Sequence, residues 1–363
     1  MADKELILYV YDQSFTLKAI VDSYSSLIWS DRYNQCGDFE LQVVFEDKWK
    51  EILQKDYFCR IDFSDHWAII EKIEQQQEMD EPPTMIVSGR SIECILERRI
   101  ITAKKEFGSE ENEVNVQSSI KTLINENFIN PSNTKRKINN FIFQDSTDTL
   151  VTKKKFHESY NGDNLLDVIE GICEDEHLGY RILLNSSNQF VFSLFHGVDR
   201  SVAQNTASYV IFSPYFDNLT SSSYYSSIEE YKNFMYISKD EDTYITTYVG
   251  SAEPVGLARR EIQEDASEFK KNKNANYTDA QIRKKAKKKL NEEYKIKTGI
   301  EGEVVPEEMY KYRTHYNVGD KVQFKDIYGN VEAVQISEVV ISYDENGLSI
   351  IPTFEEVELE EDD

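Results

Sequence analysis

Asp56-Tyr-Phe-Cys-Arg-Ile-Asp-Phe-Ser-Asp-His-Trp-Ala-Ile-Ile-Glu-Lys-Ile73 reads as a strand, a polar turn and a second strand, because each apolar run is short and bounded by turn-forming residues. A third apolar run, Met85-Ile-Val87, completes a β meander. The same order returns far along the chain in Gly319-Asp-Lys-Val-Gln-Phe-Lys-Asp-Ile-Tyr-Gly-Asn-Val-Glu-Ala-Val-Gln-Ile336, which Leu348-Ser-Ile350 completes. Two readings account for this echo: duplication of a small β unit, or a chance likeness between two meanders. Duplication would give the chain two similar barrels.

The residues around the first meander also have the spacing of strands. Phe39, Leu41 and Val43 alternate with polar residues and therefore share one face of a strand. Ser91 is suited to cap a short helix behind the meander. The first hundred residues are thus predicted to form a small barrel or sandwich that closes on this helix. Its predicted strands are Leu6–Tyr11, Thr16–Val21, Leu27–Trp29, Phe39–Phe45, Tyr57–Phe63, Trp67–Ile73 and Met85–Val87.

Between about residues 105 and 195 the apolar spacing changes to that of helices. One predicted helix buries Val116, Ile120, Leu123, Ile124 and Phe128 on a single face. A second is predicted over Asp163–Leu178, with Asp163 as its N-cap and Gly179 ending it in the left-handed conformation. Asn185-Ser-Ser-Asn188 then separates two apolar runs, as in a hairpin. This part of the chain is predicted to be an α+β insert.

The remaining chain returns to strands around a strongly charged stretch, 255–315. Thr278 and Gln281 form a capping-box pattern at the start of a helix, which carries eight basic and two acidic residues from Arg283 to Lys297. Such a helix is either a solvated face or a contact for an acidic partner or for another subunit. Asn346-Gly347 is a strong hairpin signal. The predicted strands are Tyr209–Phe212, Phe234–Ser238, Tyr244–Val249, Lys321–Phe324, Val331–Ile336, Val339–Tyr343 and Leu348–Pro352.

Length and composition exclude several classes of protein. The 363 residues predict two or three domains. With 41 Lys plus Arg and 66 Asp plus Glu, the formal charge is −25, which argues against a surface that binds nucleic-acid phosphates. The 22 Tyr and 19 Phe, within 40% hydrophobic residues, exclude global disorder. The first apolar run is too short for a signal peptide, and no run reaches the roughly 20 residues of a membrane span.

Motifs for catalysis or metal binding find no support in the sequence. The phosphate-loop, dinucleotide, serine-hydrolase and zincin patterns are absent. Cys36, Cys59, Cys94 and Cys173 form no C-x-x-C pair, and the densest group of possible ligands, Cys173-Glu-Asp-Glu-His177, places its cysteine on the apolar stripe of a helix. No catalytic, cofactor or metal site is therefore predicted. Tyr224, Tyr225 and Tyr231 could stack on sugar rings, but such tyrosines more often pack in sheets or line subunit contacts.

Several phrases, in this order and spacing, resemble the siphophage tail-tip hub proteins, the minor structural proteins related to the hub portion of tail-associated lysins. The likeness extends from about residue 5 to residue 355. Its phrases are Ser26-Leu-Ile-Trp-Ser-Asp-Arg-Tyr-Asn-Gln-Cys-Gly-Asp-Phe-Glu-Leu41, Ser88-Gly-Arg-Ser-Ile-Glu-Cys-Ile-Leu-Glu-Arg-Arg-Ile100, Gly197-Val-Asp-Arg-Ser201, Phe212-Ser213 with Asn218-Leu219, Tyr231-Lys-Asn233, Arg260-Glu261 and Tyr316-Asn-Val-Gly-Asp320.

The resemblance implies an α+β, β-rich multidomain fold, similar to the baseplate hub of contractile-tailed phages. Such hubs have two related β-barrel domains with two smaller inserted α+β domains, and three protomers form a ring. The first barrel is mapped to 1–104 and the α+β insert to 105–196. The second barrel is mapped to 197–250 plus 316–356, and the Lys-rich insert to 251–315. Residues 357–363 form an acidic tail.

The resemblance also implies a structural role without enzymatic activity or cofactors. The expected protein is a homotrimer in the virion, synthesised in the bacterial host cytoplasm. It adapts the six-fold tail tube or distal tail ring to a three-fold tip and gates the channel for DNA. Expected partners are the distal tail or tail tube protein, the tape measure protein and other tail-tip or receptor-binding proteins. Sequence-specific nucleic-acid binding and stable membrane insertion are not expected.

Candidate assembly contacts are the basic side chains Lys284, Lys285, Lys288 and Lys289, which could meet a neighbour's acidic surface. Two alternatives remain open. One is a carbohydrate-binding or glycan-degrading tail protein that acts on the host surface. The other is the hub of a contractile tail or of a phage-derived particle.

Overall fold

Strands outnumber helices in the described part of the chain, and the fold is α+β and β-rich, as the sequence predicts. The computed structural model describes residues 6–79, 82–109, 111–240, 242–269, 278–304, 309–329 and 331–356. The chain divides into a larger unit, Met1–Ser222 with Glu301–Asp363, and a smaller unit, Ser223–Ile300. No helix in the described part of the chain is long and apolar enough to cross a membrane.

The larger unit contains the following strands and helices. The first ninety residues form β1 (Leu8–Tyr11), β2 (Leu17–Val21), β3 (Ser26–Arg32), β4 (Asp38–Val44), α1 (Trp49–Ile52), β5 (Phe58–Ile61), β6 (Trp67–Gln76) and β7 (Thr84–Ser91). A 3-10 helix, Ile92–Arg98, follows. Then come β8 (Lys105–Phe107), β9 (Val114–Asn115), α2 (Val116–Ile124), β10 (Phe141–Gln144), α3 (Thr149–Thr152), β11 (Lys155–Phe156), β12 (Glu158–Tyr160), α4 (Leu165–Asp175), β13 (Gly179–Leu184), β14 (Phe190–Phe195) and β15 (Ile211–Phe212).

The chain passes into the smaller unit within β16 (Leu219–Ser227) and returns within β20 (Lys297–Val304). Between these strands lie β17 (Phe234–Ser238), β18 (Tyr244–Tyr248), β19 (Glu261–Asp265) and α5 (Asp279–Glu292). The larger unit is completed by β21 (Lys321–Lys325), β22 (Val331–Asp344) and β23 (Gly347–Glu356).

A long mixed sheet carries a repeated strand order. Its order is β16-β20-β23-β22-β3-β4-β7-β6-β5-β1-β2, with β21 pairing β22 and β15 pairing β21. We call β3-β4-β7-β6-β5 the first strand set and β16-β20-β23-β22-β21 the second. If the five strands of each set are numbered in chain order, both sets lie in the sheet in the order first, second, fifth, fourth, third. This repeat favours duplication over a chance likeness as the origin of the echo in the sequence.

The two sets also share a local irregularity. β6 shifts register against β7 between Ile70 and Lys72, and β22 shifts register against β23 between Ile336 and Glu338. Each strand therefore has a β-bulge, which inserts one extra residue and bends the strand. The sets differ at their ends, because β1 pairs β5 antiparallel whereas β15 pairs β21 in parallel. Val331–Asp344 is one strand that continues through its bulge, whereas the sequence predicts two separate strands there.

The predicted helices of the insert form, with two corrections at the second. The N-cap of α4 is Asn164, whose side chain accepts from the Leu166 N–H, and Asp163 instead accepts from the Asn161 N–H. The left-handed residue after α4 is His177, with φ of 53°, whereas Gly179 begins β13. Asn and Asp cap with nearly equal preference, so adjacent candidates are not separated by residue type. The hairpin between β13 and β14 is confirmed.

The insert and the first strand set share one hydrophobic core. Its buried members include Ile120, Leu123 and Ile169 from helices of the insert, together with Ile69 and Ile92 from the first hundred residues. Ser91 does not cap the 3-10 helix through its side chain, because its hydroxyl accepts from the Gly37 N–H. Residues 105–196 therefore pack directly against the elements that precede them.

The smaller unit has its own sheet and core. Its sheet order is β18-β17-β19, and α5 packs Ile282, Ala286 and Leu290 against it, as the predicted apolar line requires. The capping box of Thr278 and Gln281 is confirmed. The boundaries differ from the sequence-based map, which assigned 197–250 to the second barrel and 251–315 to the insert. β17 and β18 pair with each other and with β19, within the smaller unit.

Candidate functional site: the seam between the strand sets

β3 and β22 join the two strand sets by direct antiparallel pairing. The register runs from Leu27 opposite Tyr343 to Arg32 opposite Glu338. The apolar side chains of Leu27 and Trp29 in β3 are buried. Because β3 also pairs β4 on its other edge, the seam makes one continuous sheet out of two sets.

Charged side chains hold the end of this seam. The Arg32 guanidinium donates from Nε to Oε1 of Glu338 at 2.7 Å, and its Nη1 lies 2.7 Å from Oδ2 of Asp38. Burial alone would lower the pKa of the Arg32 guanidinium, but Asp38 and Glu338 outweigh it and raise that pKa. Arg32 therefore ties its own set, through Asp38, to the second set, through Glu338.

Asp31 is a buried acceptor beside this ion pair. Its Oδ1 accepts from Trp29 Nε1 at 3.0 Å and from the Ser64 hydroxyl at 2.7 Å, and its Oδ2 accepts from the Tyr312 hydroxyl at 2.7 Å. Burial, and then the charge of Asp31, raise the pKa of the Tyr312 phenol, which stays protonated as a donor. The carboxylate thus connects β3, the turn between β5 and β6, and the segment that leads into β21.

His66 and Glu93 form a buried ion pair next to Asp31. His66 Nδ1 lies 3.3 Å from Glu93 Oε1, and the same oxygen accepts from the Ile182 N–H of β13 at 2.6 Å. Burial opposes the charge on His66, but Asp31 and Glu93 raise its pKa to about 9. Burial likewise opposes the charge on Glu93, but His66 lowers the pKa of that carboxyl. Oε2 of Glu93 has no hydrogen-bond partner among the described residues, so this charge depends on His66.

Asp320 fixes the start of the second set. Its Oδ2 accepts from Arg200 Nε at 2.7 Å and from the Asn317 N–H at 3.0 Å, and its Oδ1 accepts from the Val198 N–H at 2.8 Å. The side chain is 3% exposed, so water does not readily replace it as an acceptor. Removing the carboxylate would leave all three donors without this partner. Two phrases of the family resemblance, at 197–201 and 316–320, therefore meet in space through Asp320.

Tyr33 packs between the insert and the second set. Its hydroxyl donates to the His177 carbonyl at 3.0 Å, and its ring meets Phe195 edge-on at 5.3 Å between centroids. Gly179 and Gly319 pack so closely on this ring that an added Cβ would lie 2.5 Å and 2.4 Å from its nearest atoms. Glycine is required at both places by contact with the ring.

Gly319→Ala is expected to lower the free energy of unfolding by about 2–4 kcal/mol, because φ is +86° and the new methyl would overlap the Tyr33 ring. Gly329→Ala is the matched control: its φ is +92°, but no described atom lies within 4 Å of its added Cβ. The control should cost about 1 kcal/mol. Urea unfolding measures both, and equal losses in the two variants would contradict a role for the ring contact.

The candidate assembly lysines lie on α5 in the smaller unit. Lys284 and Lys288 are exposed, whereas Lys285 is half-buried. Lys289 contacts its own unit, with Nζ 2.9 Å from Glu264 Oε1. Burial opposes the charge on Lys289, but Glu264 raises its pKa. The structure therefore separates Lys289, which stabilises its own unit, from the more exposed positions.

Other residues considered for chemistry are dispersed or buried. All four cysteines are buried thiols, and no described residues form a group of three or more His, Cys, Asp or Glu that could hold a metal ion. Tyr225 is exposed, Tyr231 is half-buried beneath the Arg260 guanidinium, and the Tyr224 side chain lies outside the described residues. The sequence alone did not single out Asp31, His66 and Glu93 as site residues. A signal was present for two of them, because Asp31 and Glu93 lie within the first two phrases of the family resemblance.

The fold is that of phage tail proteins. The chain is similar to the 43 kDa tail protein of prophage MuSo2 from Shewanella oneidensis, with a TM-score of 0.60, 12% identity, and coverage of 97% of this chain and 98% of that one. A tail protein from Neisseria meningitidis MC58 gives a TM-score of 0.61 at 12% identity, with 97% of each chain covered. A chain of the half-lidded Francisella PdpA–VgrG complex gives 0.54 at 10% identity, and the match covers 97% of this chain and 58% of that one.

Sequence comparison assigns the family. The model of the siphovirus ReqiPepy6 Gp37-like proteins matches residues 7–354, so the chain belongs to that family. No curated protein matches the sequence significantly.

Proposed function

We propose that this protein is a structural hub of a phage tail tip or baseplate, located in the virion and assembled as a homotrimer. The observation that carries the proposal is the repeated strand order of the two sets. Three copies with two similar sets each present six similar units around one axis, which suits a six-fold tube above and a three-fold tip below. The similarity to prophage tail proteins over nearly the whole chain supports the tail assignment.

The proposed domains follow the strand sets. The first barrel is 1–104 and the α+β insert is 105–196. The second barrel comprises 197–222 and 301–356, so the second insert coincides with the smaller unit, 223–300. This insert falls between β16 and β20, where the first set has only the short turn 33–37 between β3 and β4. The two barrels therefore differ mainly by what is inserted at one hairpin.

The partners we propose are other tail proteins: the distal tail or tube protein, the tape measure protein and tip or receptor-binding proteins. Similarity to a chain in the PdpA–VgrG complex supports such contacts in general. Three copies would carry three times −25, or −75, formal charges. A channel lined by such a ring would repel DNA phosphates and let DNA pass without binding. The role is non-enzymatic.

The test is the light-scattering mass of the purified protein at low salt and at roughly 0.5 M salt, where the Debye length is about 4–5 Å and surface repulsion is mostly screened. We expect three times the monomer mass, at least at high salt, and binding to the distal tail protein. A monomer at both salts that instead binds purified host wall polymers saturably would overturn the hub proposal. That result would favour a carbohydrate-binding protein, with Tyr225 and Tyr231 the next residues to change.

Reversing the charges of the three candidate lysines other than Lys289 tests the basic contact. Lys284→Glu, Lys285→Glu and Lys288→Glu together are expected to weaken trimer assembly roughly tenfold, because a neighbour's acidic surface would lose its attraction. Lys289→Glu alone is the control, since it breaks the internal pair with Glu264 and should lower thermal stability more than assembly. Unchanged affinity and salt response in the triple variant would contradict the contact.

A further inference from the structure

One edge of β22 shows how a strand set accepts a neighbour. β23 pairs β22 over Val334–Asp344. On the opposite edge, β21 covers residues 331–335 and β3 covers residues 338–343. The changeover from β21 to β3 coincides with the bulge after Ile336. β22 is therefore long enough to hold its own hairpin partner and a strand of the other set side by side.

The counterpart edge on β6 is only half occupied. β7 pairs β6 over residues 68–76, and β5 covers residues 67–69 on the opposite edge. The Ile70 N–H donates to the Tyr57 carbonyl and its carbonyl accepts from the Asp56 N–H, at 2.9 and 2.8 Å. Beyond the bulge, residues 72–76 meet no further strand on this edge within the described part of the chain. Lys72, Gln75 and Gln76 are exposed there.

Backbone contacts at the two bulges match bond for bond. Ile336 donates its N–H to the Asp320 carbonyl at 3.0 Å and accepts from the Gly319 N–H at 2.6 Å, as Ile70 does with Tyr57 and Asp56. In the second set, the next carbonyl, that of Ser337, accepts from the Tyr33 N–H at 2.9 Å, and this bond begins the seam with β3. The corresponding residue in β6 is Glu71.

β16 has the complementary deficiency. It stands at the end of the sheet, with β20 on one edge and, among the residues that the structure describes, no strand on the other. Its counterpart β3 has β4 on one edge and β22 on the other. β16 therefore lacks the partner that β22 provides for β3. Residues 72–76 of β6 lack the partner that β3 provides for β22. Unpaired strand edges of this kind template the addition of another chain.

We propose that β16 of one copy pairs antiparallel with residues 72–76 of β6 in the next copy, so that the seam between β3 and β22 is repeated between subunits. The proposal rests on the hub function and names the contact that builds the ring. Each copy then offers β16 as one side of the contact and the edge of β6 as the other side. Such a head-to-tail interface forms a closed ring when the rotation between neighbouring copies is a whole fraction of a full turn. In a trimer, three seams within copies alternate with three seams between them.

Proline on the acceptor edge tests the seam. With the offset set by the two bulges, Gln75 corresponds to Ile341, which lies opposite Trp29 in the seam. By strand alternation its N–H points to the open edge, so Gln75→Pro removes a donor from the proposed seam but none from the ladder with β7. Gln75→Thr is the matched control, because threonine favours strands and keeps the N–H.

We expect wild type and Gln75→Thr to give the trimer mass by light scattering, and Gln75→Pro to give the monomer mass with a similar thermal midpoint. A trimer in all three proteins would overturn the seam and leave the hub function standing. A wild-type monomer at both low and high salt would overturn the seam and the self-assembling hub together.

A cysteine pair gives a second readout that does not depend on proline. Ser227→Cys with Lys72→Cys is expected to form disulfide-linked dimers and trimers on mild oxidation, because the end of β16 should face the start of the open edge. Ser227→Cys with Lys18→Cys is the control, since Lys18 is exposed on β2, which β5 and β1 separate from β6 in the sheet. Equal cross-linking in the two double variants would also overturn the proposal.

Discussion

Glu93→Gln is expected to lower the free energy of unfolding by about 3–5 kcal/mol, the cost of removing one partner from a buried ion pair. The substitution keeps the size of the side chain but removes the carboxylate 3.3 Å from the buried His66, so Asp31 is left as the main negative charge near it. His66 would then be either neutral or only partly compensated, by Asp31, in the folded state. Either outcome weakens the junction at which Glu93 also holds the Ile182 N–H. Urea unfolding monitored by tryptophan fluorescence measures the loss.

Glu97→Gln is the control for this substitution. Glu97 lies on the same 3-10 helix and pairs with Arg90, but its side chain is 49% exposed, so the expected loss is under about 1 kcal/mol. Similar losses in the two variants would show that burial of the pair with His66 does not matter.

The pH dependence of stability gives an independent readout of the same pair. Because the pKa of His66 is raised from 6.5 to about 9, its contribution to stability is fully present below pH 6.5 and is lost as the pH rises through about 9. Wild type should therefore lose stability between these values. In Glu93→Gln the loss should be smaller, because Asp31 alone of the two carboxylates still raises the pKa of His66, so that pKa lies closer to its ordinary value. Parallel stability curves for the two proteins from pH 6.5 to 9 would contradict the ion pair.

Local sequence signals predicted the elements better than their assembly. The alternation in Asp38–Val44 and the capping box at Thr278 each depend on residues within a few positions, and both form as predicted. β17 and β18 were also predicted as strands, but their sheet was not. An alternating strand fits any sheet that can cover its apolar face, so only the partners β19 and α5 decide that these strands join the smaller unit.

The buried ion pair of the seam could not be predicted from neighbouring residues in the sequence, because its partners also lie far apart along the chain. Glu93 lies between the buried residues Ile92 and Cys94, where the sequence pattern indicates only a short amphipathic helix. Its donor, the Ile182 N–H, is 89 positions away. A carboxylate in an apolar run is a signal that a partner exists, but its identity follows only from the three-dimensional structure. The echo between the two meanders was different, because it could be seen in the sequence, and the strand order then favoured duplication.

Gly197→Ala is expected to destabilise the protein by about 4 kcal/mol or more, the range reserved for severe core disruption. A Cβ at position 197 would lie 1.7 Å from the carbonyl oxygen of Gly319 and 2.0 Å from its carbon. Both atoms belong to the backbone, so no rotamer change can relieve the overlap. The chain enters the second strand set at this contact, next to the bonds that Asp320 makes to Val198 and Arg200. Separation here would free the start of β21 and, with it, the set that completes the seam.

Gly171→Ala is the matched control for this last substitution, because the residue change is the same and the surroundings are opposite. Gly171 lies within α4, and no described atom comes within 4 Å of its added Cβ. Alanine should therefore stabilise the protein by about 0.5–1 kcal/mol through helix propensity. Chemical unfolding would then move in opposite directions for the two variants. If Gly197→Ala stays within about 1 kcal/mol of wild type, the close approach of residues 197 and 319 is not part of the folded state. The second strand set would then need another anchor, because backbone packing at residue 197 could not be what positions it beside β3.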